Sequence, residues 1–142
     1  MPEKHVEPTN ADVGQTAAQK VWRFRGDNRQ EKDDLVTVEE PLEIRLNGEA
    51  LAVVMRTPQN DLELAAGFVF TEGIVEHLSD LGTVSYCPQA QPPNLQNVVD
   101  ARLTSGAEVD LEKVKRNFYA SSSCGVCGKA SIDAIRTNAP SI

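Results

Sequence analysis

Two cysteines, Cys124 and Cys127, stand three residues apart in Ser121-Ser122-Ser123-Cys124-Gly125-Val126-Cys127-Gly128-Lys129. Thiols at this spacing can hold a metal between them, close a small disulfide, or present one thiolate with its neighbour in reserve. The three serines ahead of them are too small and polar to anchor by packing, so the segment is expected to be exposed and mobile. Behind the pair, residues 128–136 read as the opening of a helix, with Ile132, Ile135 and Arg136 at helical spacing. A thiol at a helix N-terminus meets partial positive charge, and Lys129 adds an ammonium nearby. Both favour thiolate over thiol, which suits nucleophilic work at neutral pH.

The other uses of such a pair need partners that are scarce in this chain. A zinc site takes four ligands, and only Cys87, His5 and His77 are left to supply them. His5 falls in a polar terminal stretch, while His77 and Cys87 stand singly. A four-iron cluster takes four thiolates, and three cysteines cannot provide them. A thioredoxin-type exchanger places its pair directly after an early strand, whereas this pair follows a serine run late in the chain. No tightly bound metal is therefore expected, although a zinc- or nucleotide-binding recruitment module stays open beside the reactive thiol. Cys87 reads as a small packed side chain at a strand end.

At 142 residues the chain suits one domain with a real core, and 40% hydrophobic with 25% charged residues is ordinary for a soluble protein. A net charge of −7 and a pI near 4.8 argue against a nucleic-acid binder, which wants a basic face. Three cysteines make no disulfide framework and point to a reducing compartment. The first eight residues lack the apolar core of a signal peptide. The longest apolar run, residues 64–70, is far short of the ~20 residues of a membrane helix. The expectation is a cytoplasmic protein without nucleic-acid or membrane partners.

Residues 1–19 are polar and without period, and read as a disordered tail preceding a domain over 20–142. Val21–Arg25 alternates apolar and basic, a strand ended by Gly26-Asp27-Asn28; Trp22 reads as core, with Arg23 and Arg25 on the other face. Residues 35–38 form a further apolar run before Glu39-Glu40-Pro41. Alternation on both sides of Asn47-Gly48 predicts a hairpin over residues 42–55, because that pair tolerates the positive φ of a tight primed turn. A helix follows, with Asn60 and Glu63 at capping-box spacing and Leu62, Ala65, Ala66, Val69 and Phe70 as its apolar stripe. Gly73 stops it, and Gly67 within it implies close approach of another element. Residues 74–81 connect to strands at 83–86 and 97–103, separated by a proline-bearing loop. Residues 108–118 fit either a short helix or a strand end. The sum is an α/β (α+β) chain, a mixed sheet with an antiparallel hairpin and packed helices.

Four stretches in order make the chain recognisable: residues 39–44, Asn47-Gly48, Gly67 to Val75, and Ser121 to Lys129. Together they resemble the FdhD family, the sulfur carrier proteins needed for formate dehydrogenase activity. The resemblance implies a sulfurtransferase that accepts sulfur from a cysteine desulfurase as a persulfide. It would then pass that sulfur to the molybdenum bis(molybdopterin guanine dinucleotide) cofactor, its acceptor substrate, for formate dehydrogenase. It further implies Cys124 as persulfide carrier with Cys127 assisting, a reactive loop over residues 121–128, the front part of a cytidine-deaminase-like fold, and a homodimer at full length. Family members carry a large C-terminal part that is absent after Ile142, and the residues that bind the cofactor are expected to lie there.

Overall fold

The computed structural model describes residues 14–105, 107, 109 and 131–133, and divides the chain into two compact units. The first comprises residues up to Glu39 together with Thr57–Gln59, and the second Glu40–Arg56 with Asn60 onward.

The first unit is a two-stranded antiparallel ribbon of β1 (Thr16–Arg25) and β2 (Asn28–Thr37). Its register is unbroken from Arg25↔Asn28 to Thr16↔Thr37. Gly26 sits at φ 58 between the strands, supplying the left-handed conformation that a two-residue hairpin turn requires. The ribbon corrects the sequence reading twice. Thr16–Gln19 belong to β1 and not to a disordered tail. Trp22 is about half exposed and carries the Arg29 guanidinium over its ring at 3.8 Å, so it is no core residue. Among the described residues the ribbon is a two-stranded sheet with no second sheet layer of its own to cover a tryptophan, so alternation alone could not put it inside.

The second unit is built on a four-stranded sheet of order β4-β3-β6-β5, with β3 (Glu40–Leu46), β4 (Glu49–Arg56), β5 (Leu81–Tyr86) and β6 (Val98–Leu103). β3 pairs antiparallel with β4 and parallel with β6, while β5 pairs antiparallel with β6, which makes the sheet mixed. The expected hairpin is present. Asn47 and Gly48 lie at φ 52 and 85, the two positive values of a primed turn. Asn47 is held further: its Oδ1 accepts the Leu103 N–H at 3.0 Å, and the buried Asp100 accepts the Gly48 N–H at 2.8 Å. A bulge between Ile44 and Arg45 lets consecutive Leu51 and Ala52 both reach the core.

The single α-helix among the described residues, α1 (Asp61–Thr71), covers one face of this sheet. Leu42, Ile44, Leu46, Val99 and Ala101 from the strands meet Ala65 and Val69 from the helix. Each fully buried Leu, Ile or Val there contributes about 1.5–3 kcal/mol relative to exposure. Gly73, at φ 66, ends the helix as expected; its N–H donates to Phe70 O and that of Ile74 to Val69 O, the paired bonds of a left-handed cap. Three details of the helix reading fail. Asn60 makes no side-chain cap and lies at φ 38; Phe70 is 42% exposed while Phe68 packs on the core; Gly67 meets nothing where a Cβ would stand. The stripe is set by where the sheet lies: Leu62, Ala65 and Val69 face it as predicted, and Phe68 in place of Phe70 completes the row.

A second, smaller cluster buries the opposite sheet face: Val53, Val98, Cys87, Ala90 and Ile132. Cys87 is thus the packed strand-end residue expected. Ser131–Asp133, predicted to be helical, describe a bend and turn.

Candidate functional site

β3 points Leu42, Ile44 and Leu46 at the helix, so Glu43 and Arg45 must face the other way. On an open sheet they would meet water, yet Glu43 is 3% exposed. Its carboxylate is fully used. One oxygen accepts the Arg45 Nε–H at 2.7 Å, and the other accepts the Ile132 backbone N–H at 2.8 Å. The Arg45 guanidinium is held protonated above its ordinary range, chiefly by this bond to Glu43, against the opposing effect of partial burial. The same guanidinium lies 3.8 Å from the Cys87 sulfur, which also reaches Gln89 at 3.4 Å. Glu43 therefore fastens the chain at Ile132, five residues beyond Cys127, to the middle of the sheet.

Beside this tether lies a buried ionic clamp. The Arg56 and Asp61 side chains are 4% and 2% exposed. Arg56 Nη2 donates to Asp61 Oδ2 at 3.0 Å, while its Nε lies 3.0 Å from Oδ1, an ion-pair contact without hydrogen-bond alignment. Arg56 also reaches Glu40 at 3.1 Å, the Gln96 carbonyl at 3.2 Å and Asn97 at 3.3 Å. Tyr86 donates its hydroxyl to Asp61 at 3.1 Å, and burial followed by that bond pushes the phenol's pKa up. The clamp joins the end of β4, the start of α1, β5 and the loop ahead of β6. Removing one member of such a pair leaves a buried charge alone, at a cost of about 3–5 kcal/mol. Asp61 places a negative charge in the first turn of α1, which the helix dipole favours, and its larger role is holding Arg56.

Tether and clamp border an open pocket of about 680 Å³ lined by Glu40, Pro41, Pro93, Leu95, Asn97 and Ile132, with Asn94 and Gln96 completing the wall. Amides, a carboxylate and prolines make a surface that accepts and donates hydrogen bonds while keeping a firm backbone. Cys124 and Cys127 lie outside the described residues, as do His5 and the 108–118 stretch apart from Val109. His77 is exposed at the head of a short 3-10 turn, Leu78–Asp80, where its N–H donates to Asp80. Among the described residues no three His, Cys, Asp or Glu side chains gather as a metal-ligand set. No helix of these residues is long and apolar enough to cross a membrane.

Sequence reasoning missed Glu43, Arg56 and Ile132. A signal was available in β4. Leu51 to Val54 is apolar without alternation, the mark of a strand covered on both faces, and Glu43 stands opposite Val53. A carboxylate in that register has to be buried with partners.

Comparison with known proteins identifies the family. The FdhD/NarQ family matches residues 37–141, which takes in β3 through β6 and the two cysteines. The sulfur carrier protein FdhD of Streptomyces coelicolor is 46% identical over 87% of this chain and 45% of its own length. That of Mycobacterium tuberculosis is 44% identical over 84% and 45%. The chain thus spans about half the length of the curated relatives it matches. A solved structure, described as a formate dehydrogenase accessory protein from Desulfotalea psychrophila, superimposes with a TM-score of 0.54 at 27% identity, covering 63% of this chain and 37% of that one. With nearly three quarters of the sequence inside one family match, the chain belongs to the FdhD/NarQ family.

Proposed function

We propose that this chain forms the front part of a sulfur carrier serving formate dehydrogenase, with Cys124 as the carrying thiol and Cys127 as its assistant. The family match across residues 37–141, which includes the Cys124–Cys127 pair, carries this reading. The Cys124 thiolate attacks the outer sulfur of a persulfide on a cysteine desulfurase. A new S–S bond forms at Cys124 as the donor's S–S bond breaks, and the donor leaves as thiolate, so no outside oxidant or reductant is consumed. For delivery, the Cys127 thiolate attacks the Cys124 sulfur and the persulfide S–S bond breaks. The outer sulfur leaves as hydrosulfide for the molybdenum bis(molybdopterin guanine dinucleotide) cofactor, its acceptor substrate, and the Cys124–Cys127 disulfide that forms supplies the two electrons.

The chemistry asks for a thiolate with reach, anchored to a firm body. Glu43 supplies an anchor at Ile132, on the C-terminal side of the pair. A cytidine-deaminase-like body, a homodimer for the full-length protein and residence in the cytoplasm belong to the same proposal.

Incubation with a cysteine desulfurase and cysteine, followed by mass spectrometry, tests it. The peptide bearing Cys124 should gain about 32 Da, one sulfur, lost on reduction. Cys124→Ala should abolish uptake and Cys127→Ala should reduce it less. Sulfur found on Cys87 alone refutes the assignment. One tightly held zinc with equal loss in both variants would favour a recruitment module instead.

A further inference from the structure

We propose that the tip of the β1–β2 ribbon is a docking surface for an extended polypeptide segment in which acidic residues alternate with apolar ones. This goes beyond the sulfur-carrying reading and does not depend on it. The tip concentrates charge against the trend of the molecule. Residues 23–30 hold Arg23, Arg25 and Arg29 against the lone carboxylate Asp27, in a chain of net charge −7. Arg23, Arg25, Arg29, Asn28 and Gln30 line a shallow concavity of about 560 Å³ with no carboxylate in its wall.

Alternation divides the ribbon into two unlike faces. Register puts Arg23 and Arg25 on one face with Gln30 and Asn28, and Trp22 and Phe24 on the other with Glu31 and Arg29. Trp22 is 49% and Phe24 66% exposed, and the Arg29 guanidinium lies over the Trp22 ring. Exposed Trp and Arg together are the residues that dominate protein–protein contacts, because each covers much area with few rotatable bonds or a rigid fork of donors. The described strands form a two-stranded sheet, so among the described residues β1 pairs on one side only. An added strand satisfies that edge with its backbone. Its side chains would repeat with the same period of two, placing carboxylates on the arginine face and apolar groups beside Trp22 and Phe24.

Other anions fit less well. A small phosphate compound would use neither the strand edge nor the aromatic pair. A nucleic acid would run on past the tip into Glu31, Asp33 and Asp34, which repel a continuous line of phosphates.

Trp22 is the only tryptophan in the chain and reports on its own site. A labelled peptide of alternating Glu and Val, titrated with the full chain and followed by anisotropy and Trp22 emission, should bind saturably. Binding should weaken at least about tenfold when salt is raised severalfold, as for exposed charges. Arg25→Glu with Arg29→Glu should abolish it, and Arg25→Gln alone, which leaves the fold's charge balance nearly intact, should weaken it severalfold. The proposal is overturned if the peptide does not bind or if the substitutions leave its affinity unchanged. It is equally overturned if pyrophosphate or a single-stranded oligonucleotide shifts Trp22 emission at lower concentration than the peptide. Emission that changes with protein concentration alone would assign the surface to a second copy of the chain and likewise refute the proposal.

Discussion

Replacing Glu43 by alanine tests the tether directly. The substitution leaves the buried Ile132 N–H without an acceptor, a desolvation cost of about 1–3 kcal/mol. It also removes the bond to Arg45, whose side chain is 31% exposed and can turn to water, so that loss is discounted to about 0.5–1 kcal/mol. The sum is about 1.5–4 kcal/mol, or a fall in Tm of about 5–12 °C at roughly 3 °C per kcal/mol for a chain of this size. Glu43→Gln keeps a carbonyl oxygen for Ile132 and should lose only about 1 kcal/mol. Thermal and urea melts give both numbers, and hydrogen exchange at Ile132 gives the local consequence, an amide that opens in the alanine variant and stays protected in the glutamine one. If Glu43→Ala melts within about 0.5 kcal/mol of the parent, or if the two variants behave alike at Ile132, the carboxylate is not what fastens this segment.

Two further outcomes follow from the same structure. Gly67 lies exposed in mid-helix with open space at its Cβ position, so Gly67→Ala should stabilise by about 0.5–1 kcal/mol, while Gly73→Ala, forced to keep φ 66, should destabilise by about 1–2 kcal/mol; chemical melts of the two variants would have to show opposite signs. Tyr86 titrates above its ordinary value of 10.0 in the folded state, so its contribution to stability is complete below pH 10 and is lost as pH rises through the folded pKa; Tyr86→Phe should flatten that alkaline decline, and an unchanged slope would contradict the assignment.

Local chemistry determined much of this protein. Asn47-Gly48 specified its turn because few other residue pairs sit at two successive positive φ values, and Gly73 specified the helix end for the same reason. The strands at 83–86 and 97–103 were legible from short apolar runs between turn signals, and each was found within two residues. The spacing of Cys124 and Cys127, read with the Gly67–Val75 block, was enough to place the chain in its family. What a residue faces is a different kind of fact. Glu43 and Trp22 both sit on alternating strands, yet the carboxylate is buried and the indole is half exposed. Alternation assigns a residue to a side, and only the layers packed on that side decide whether it is inside. β3 has the helix above and Ile132 with Cys87 below, so even its polar face is enclosed; the β1–β2 ribbon has no second sheet layer among the described residues. The Arg56–Asp61 clamp needed the end of a strand and the start of a helix to meet, and the Glu43–Ile132 bond needed residues 89 positions apart in the chain. Contacts of that range exist only once the sheet has formed, because the free energy that selects them is the burial that the sheet itself creates.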